Sequence, residues 1–153
     1  MKITLILTGK TEDSFLLAGI KEYQKRIERY ADFNIIEITA LKNTKNLSQS
    51  EYKRKEGELI LKKLAEKDFV VLLDERGKEY TSIEFASFIK KSQRSMTFIV
   101  GGAFGFDEQV YKRANAQLSL SKMTFTHQMI RLIFVEQLYR AMTINNNEPY
   151  HHQ

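Results

Sequence analysis

The run "DFVVLLD", Asp68–Asp74, carries apolar side chains on both of its alternating faces. A strand with one solvated face alternates polar and apolar residues. One that is apolar on both sides must be covered on both, as an interior strand of a parallel sheet is when helices flank it. The sequence on either side agrees with that reading. Upstream, "KITLILT" (Lys2–Thr8) reads as a buried strand stopping at Gly9, and Leu16, Ile20, Tyr23, Ile27 and Tyr30 then recur at helical spacing. "FNIIEIT" (Phe33–Thr39) alternates as a second strand. Beyond a polar connection from Leu41 to Leu47, Ser48 with Glu51 three residues on has the form of a capping box and predicts the start of a charged helix. Downstream, Thr81 with Glu84 repeats that form ahead of Phe85, Phe88 and Ile89, and "MTFIV" (Met96–Val100) supplies another buried strand. Strand–helix–strand alternation with right-handed crossovers predicts an α/β layered fold around a mostly parallel sheet.

A chain of 153 residues fits one domain, 1–153, and leaves no room for a second independent core. Its 42% hydrophobic and 28% charged residues have the balance of a soluble globular protein. No stretch approaches the roughly 20 apolar residues that cross a bilayer, and the apolar run in "MKITLILTGK" is too short for a signal peptide, so a cytoplasmic protein is expected. Zero cysteines exclude disulfides, thiolate nucleophiles and cysteine-based zinc sites, and three histidines without H-x-x-x-H spacing leave no metal expected. The formal net charge of +5 suits a polyanionic partner held through phosphates, and equally a basic surface that is only solvated.

Candidate chemistry gathers where strands end. "VGGAFGF" (Val100–Phe106) follows a buried strand directly and holds three of the seven glycines. It matches neither G-x-G-x-x-G nor a Walker loop, and alone it fits a tight turn as well as a ligand cradle. A second polar loop, Ser121–Thr126, follows the next short strand, and Leu73 closes the strand quoted first, so three strand ends could wall one cleft. In the helix beyond, Ile130, Leu132, Ile133, Phe134, Val135, Leu138, Ala141 and Met142 cover nearly the whole circumference. Such a helix needs cover from more than one side; a symmetric partner is the expected source, with Phe134 and Leu138 facing outward toward it. His127 and Arg131 share one face of this helix, and Glu136 and Arg140, also four apart, lie roughly opposite as an ion pair or as part of a site.

"GGAFGF" (Gly101–Phe106), "LSLSKMTFTHQMIRLIFVEQLYRA" (Leu118–Ala141) and the terminal "PYH" (Pro149–His151), with "KITLILTGK" (Lys2–Lys10) and "KEGELIL" (Lys55–Leu61) ahead of them, carry a resemblance over essentially the whole chain. The sequence resembles the ribosomal large-subunit pseudouridine N3-methyltransferases of the SPOUT, or α/β-knot, superfamily. The resemblance implies a single trefoil-knotted α/β domain with the knot in residues 70–153, dimeric through its C-terminal helices. It implies S-adenosylmethionine as methyl donor and N3 of a pseudouridine in 23S ribosomal RNA as acceptor, with the assembled ribosome as the expected substrate. Carried over position by position, the cofactor residues are Leu73, Gly101, Gly102, Ser121, Lys122, Met123, Thr124, Phe125 and Thr126. His127, Arg140, Tyr150 and His151 are the side chains expected to contact substrate or take part in catalysis, the tail pair reaching into the partner's site. Thr126 stands where many relatives have proline, and Phe104 where smaller or acidic residues are common. Methyl transfer to an imide nitrogen is an in-line displacement in which positioning matters most; a cation stabilises the developing anion and a neutral histidine can take the proton. Two other readings stand beside this one: a non-catalytic RNA-binding protein of the same fold that uses only the basic surface, and an α/β enzyme with a nicotinamide or flavin cofactor.

Overall fold

A computed structural model describes residues 1–152. The elements are β1 (Lys2–Thr8), α1 (Ser14–Ile27), β2 (Asp32–Ile38), α2 (Gln49–Leu61), β3 (Phe69–Glu79), α3 (Ser82–Lys91), β4 (Met96–Val100), α4 (Glu108–Arg113), β5 (Ala116–Ser119) and α5 (Met129–Asn145). The strands form one sheet in the order β2-β1-β4-β3-β5, and every neighbouring pair is parallel. The expected class is therefore observed, with the quoted strand interior and β4 at the centre. Its two faces separate as the pattern requires: Val71 and Leu73 enter one core with α1, α3 and α5, and Val70 and Leu72 enter the other with α2 and α4.

Local chemistry sets the helix starts. The Thr81–Glu84 capping box forms in both directions, whereas Ser48 accepts from the Glu51 N–H as a one-sided cap. The six-residue α4 was not legible as a helix, being too short and polar to show a period; Asp107 caps it by accepting from the Gln109 N–H.

The sequence-based expectation for α5 needs correction. Its cover comes from its own chain: Phe134 and Leu138 are fully buried in the core shared with α1, α3 and the sheet, and neither faces outward. A helix that closes one face of a five-stranded sheet between two others can bury most of its circumference within one protomer. The part-exposed apolar residues on it are Met129, Ile130, Leu132, Ile133, Tyr139 and Ile144.

Arg131 is also not a surface partner of His127. It is completely buried and donates from Nη2 to Thr8 O (2.8 Å), from Nη1 to Gly9 O and Thr11 Oγ1 (3.0 Å each) and from Nε to His127 O (3.2 Å). The guanidinium fork thus ties the start of α5 to the end of β1.

Candidate functional site

The irregular stretch of β3 at Leu73–Arg76 and the segments at the ends of β4 and β5, Val100–Phe106 and Leu118–His127, converge on one cleft of about 650 Å³. The cleft opens because β3 and β5 part company: their register breaks between Leu73 and Lys78, and pairing resumes only beyond it. Gly77 is required at the point of return, since a Cβ there would sit 2.7 Å from the backbone of Gln117 and Leu118.

Each wall is held in place by its own bonds. In the third loop Ser119 Oγ donates to Ser121 O, the Met123 N–H donates to Ser121 Oγ (2.9 Å each), and the Met129 N–H donates to Thr126 Oγ1 at 3.0 Å. Thr126 thereby caps the entry to α5, a bond that proline could not accept in that position. Gln128 fastens the same loop to the β1–α1 connection, accepting from the Glu12 N–H at 2.8 Å and donating to Lys10 O at 3.1 Å. At the first wall Tyr111 donates to Asp74, whose carboxylate also accepts the Arg76 N–H at 2.8 Å, while Arg76 Nη2 donates to the Tyr111 hydroxyl at 2.9 Å. Burial first, and then the bond to Asp74, pushes the Tyr111 phenol above its ordinary value, so it stays a donor.

The glycine loop is close-packed from behind. A Cβ on Gly101 would lie 2.9 Å from the Phe106 ring, and one on Gly102 would lie 3.0 and 3.3 Å from the carboxylate oxygens of Glu56. These glycines are needed by packing inside the protein, not by a Cβ direction that points at a ligand. Glu56, on α2, is buried; burial raises its carboxyl above the ordinary value, and a bond from the Gly102 backbone N–H works against that rise. One turn earlier, the Tyr52 ring meets Phe104 edge-on at 5.4 Å.

A second cluster sits toward the other end of α5. Arg140 Nη2 donates to Glu136 Oε1 at 2.6 Å, the Tyr150 hydroxyl donates to the same oxygen at 3.0 Å, and Arg140 Nη1 lies 3.2 Å from His151 Nδ1. The guanidinium also lies 4.8 Å from the Tyr150 ring centroid, and its Nε is buried with no hydrogen-bond partner among the described residues. Burial, then bonds to Tyr23 and Glu136, raises the Tyr150 phenol strongly, and the Glu136 bond raises Arg140, so both keep their protons at neutral pH.

A family model described as "Predicted SPOUT methyltransferase" matches residues 1–151. The chain belongs to the SPOUT methyltransferase family. Proteins called "Ribosomal RNA large subunit methyltransferase H" from Parabacteroides distasonis, Phocaeicola vulgatus and Bacteroides thetaiotaomicron are 54%, 53% and 52% identical to it, each alignment covering 100% of both chains. The fold is also that of "a probable methylase family protein from Haemophilus influenzae Rd KW20", with a TM-score of 0.57 over 99% of this chain and 70% of the other at 12% identity. Membership makes the protein an enzyme that moves a methyl group, which displaces both the nicotinamide or flavin reading and the non-catalytic one.

Of the cofactor positions expected from the sequence, this SPOUT methyltransferase brings Leu73, Gly101, Gly102, Ser121, Met123, Thr124, Phe125 and Thr126 to the cleft wall; Lys122 lies in the same loop but does not line the cleft. His127 is at the cleft. Arg140, Tyr150 and His151 are brought together with each other but not with His127. The thirteen residues separating His127 from Arg140 correspond to about 20 Å of helix at 1.5 Å per residue. Sequence reasoning missed Asp74, Tyr111 and Glu56 as parts of the site. Tyr111 lies on the helix that periodicity did not reveal. Glu56 had a signal: Tyr52, Glu56 and Ile60 recur at i, i+4 and i+8, which places a carboxylate on the inward face of α2.

Proposed function

We propose that this SPOUT methyltransferase transfers a methyl group from S-adenosylmethionine to N3 of a pseudouridine in the RNA of the large ribosomal subunit, acting as a cytoplasmic homodimer built from single knotted domains, 1–153, with the knot in 70–153. The observation that carries the reading is the convergence of the irregular stretch of β3 and the loops after β4 and β5 on one cleft with His127 at it. The curated relatives named for methylation of large-subunit ribosomal RNA support the acceptor. The cleft suits an adenosyl sulfonium: Leu118, Phe106 and Ile130 offer apolar wall, the glycine loop offers backbone donors and acceptors, and Glu56 places a carboxyl directly behind that loop.

When bound, the cofactor supplies an electrophilic methyl group. The chain's own residues orient the acceptor, exclude water and manage a proton. Leu73, Gly101, Gly102 and the Ser121–Thr126 loop would hold the donor, which would supply the methyl group. His127 stands where it can take the N3 proton, and Arg140, held charged by Glu136, stabilises the anion that forms. Tyr150, kept protonated, donates. Because His127, just ahead of α5, and Arg140 on it are about 20 Å apart, a single protomer does not bring them to one substrate. The unpaired Arg140 Nε supports a cluster completed from outside the chain. In a two-fold dimer the Arg140–Tyr150–His151 cluster of one protomer meets the cleft of the other.

The test is labelled-methyl transfer to assembled ribosomes, free subunits and extracted RNA from cells lacking the enzyme, with sedimentation of the same protein. Transfer to one uridine-derived base in the large subunit, by a dimer, is expected, and a Tyr150→Phe, His151→Ala variant should lose about a hundredfold in rate while binding donor normally. A monomer that methylates at full rate contradicts the dimer; no transfer to any of the three substrates contradicts the acceptor.

A further inference from the structure

Taken as whole residues, Glu56 and Arg131 are the two charged residues that are buried among the described residues, Glu56 with 6% of its surface exposed. Arg131 has four oxygens around it; Glu56 has no cation. None of the five ion pairs among the described residues includes it. The comparison with Asp74 is informative, because that carboxylate also lies at the cleft with its side chain mostly covered, yet it is matched by Arg76 and Tyr111. Glu136 is likewise matched by Arg140. A carboxylate taken out of water without a counter-charge is unfavourable, and proteins seldom retain one without a reason.

Its placement suggests what the counter-charge is. The carboxylate oxygens lie 3.0 and 3.3 Å from where a Cβ on Gly102 would stand, and Gly102 itself lines the cleft, so a single peptide layer separates the carboxylate from it. Tyr52 against Phe104 keeps α2 seated on the same loop. Any group resting on Gly101 and Gly102 therefore lies inside the roughly 8 Å over which charges interact at physiological salt.

We propose that Glu56 is the charge that lets the enzyme distinguish its cationic sulfonium donor from the neutral thioether left after transfer. The inference rests on the adenosylmethionine reading given above. The two ligands differ in the methyl group and its positive charge and share every other group, so the amino acid and nucleoside contacts cancel in the ratio of their affinities. When the methyl group passes from the sulfonium to N3 and the N3 proton passes to His127, the sulfonium becomes a neutral thioether and Glu56 no longer faces a cation there. Attraction for the spent cofactor falls at that moment, which favours release of product and entry of fresh donor.

The test is calorimetric affinity of the full-length protein for S-adenosylmethionine and S-adenosylhomocysteine, before and after E56Q, which keeps shape and removes charge. The expected result is about a tenfold loss for the sulfonium, or 1.4 kcal/mol, with less than about a twofold change for the thioether. Equal losses for both ligands make Glu56 a packing residue of the loop and overturn the proposal, as does no change for either. If E56Q fails to fold, the native enzyme decides with a third ligand, sinefungin, which carries an ammonium group at the sulfonium position. Both cations should bind more tightly than the thioether, and a thioether that binds as tightly as either cation refutes the discrimination. Failure of the native enzyme to bind any of the three instead removes the donor reading on which the inference stands.

Discussion

Replacing Arg131 with methionine keeps most of the volume and deletes the four hydrogen bonds that run from one guanidinium to Thr8 O, Gly9 O, Thr11 Oγ1 and His127 O. Bonds from a charged donor contribute about 1.5–3 kcal/mol each, and the acceptors left behind lose their donor around a buried side chain. Against this, the variant no longer buries a charge, a cost large enough that burial alone pulls the Arg131 guanidinium below its ordinary value. The net expectation is a loss of about 3–5 kcal/mol. For a domain of this size each kcal/mol moves Tm by about 2–4 °C, so the midpoint should fall by at least about 6 °C. Lysine in its place retains charge but not the fork, and should recover only part of that loss. Circular-dichroism melts and urea titrations with an unchanged slope measure both variants. Because the same side chain fixes the first turn of α5 below the Ser121–Thr126 loop, donor affinity should weaken alongside stability. An R131M protein melting within about 2 °C of the native one would refute the view that this guanidinium ties the site to β1.

Gly102→Val should cut donor affinity more than tenfold, about 1.4 kcal/mol by calorimetry, because its Cβ branches into the Glu56 carboxylate and forces the loop off its backing; a folded variant with native affinity contradicts this. At the tail, Tyr30 donates to Glu148 Oε2 at 2.6 Å, and that bond pushes its phenol up from 10.0 to about 12. The folded value exceeds the unfolded one, so this contribution to stability is complete below about pH 10 and is lost as pH rises toward 12. The stability difference between native protein and Tyr30→Phe should therefore shrink across that window, and a difference constant with pH would count against the bond.

Much of the molecule was legible in local pattern. Side-chain alternation determined the strands, because a pleated strand alternates faces whatever surrounds it. "DFVVLLD" showed a two-sided burial that only a covered parallel sheet provides. Apolar spacing and capping residues determined α1, α2 and α3, since a helix end must satisfy its own N–H groups within a few residues. The two loops that wall the cleft were readable as polar or glycine-rich segments at strand ends.

What the tertiary structure decided involves residues far apart in the chain. Periodicity showed that α5 needed cover all round, but only the packing of α1 and α3 against it showed that Phe134 and Leu138 find that cover at home. Spacing put His127 and Arg131 on one face of the helix; only the packing showed that Arg131 turns inward to an oxygen of Thr8, 123 residues away. Glu56 looked like one charge among many on a charged helix until Gly102 closed over it. Short-range periodicity reports which side of an element is apolar; which distant groups share that side depends on the crossovers and on the order of the strands, and these arise from packing the whole chain at once.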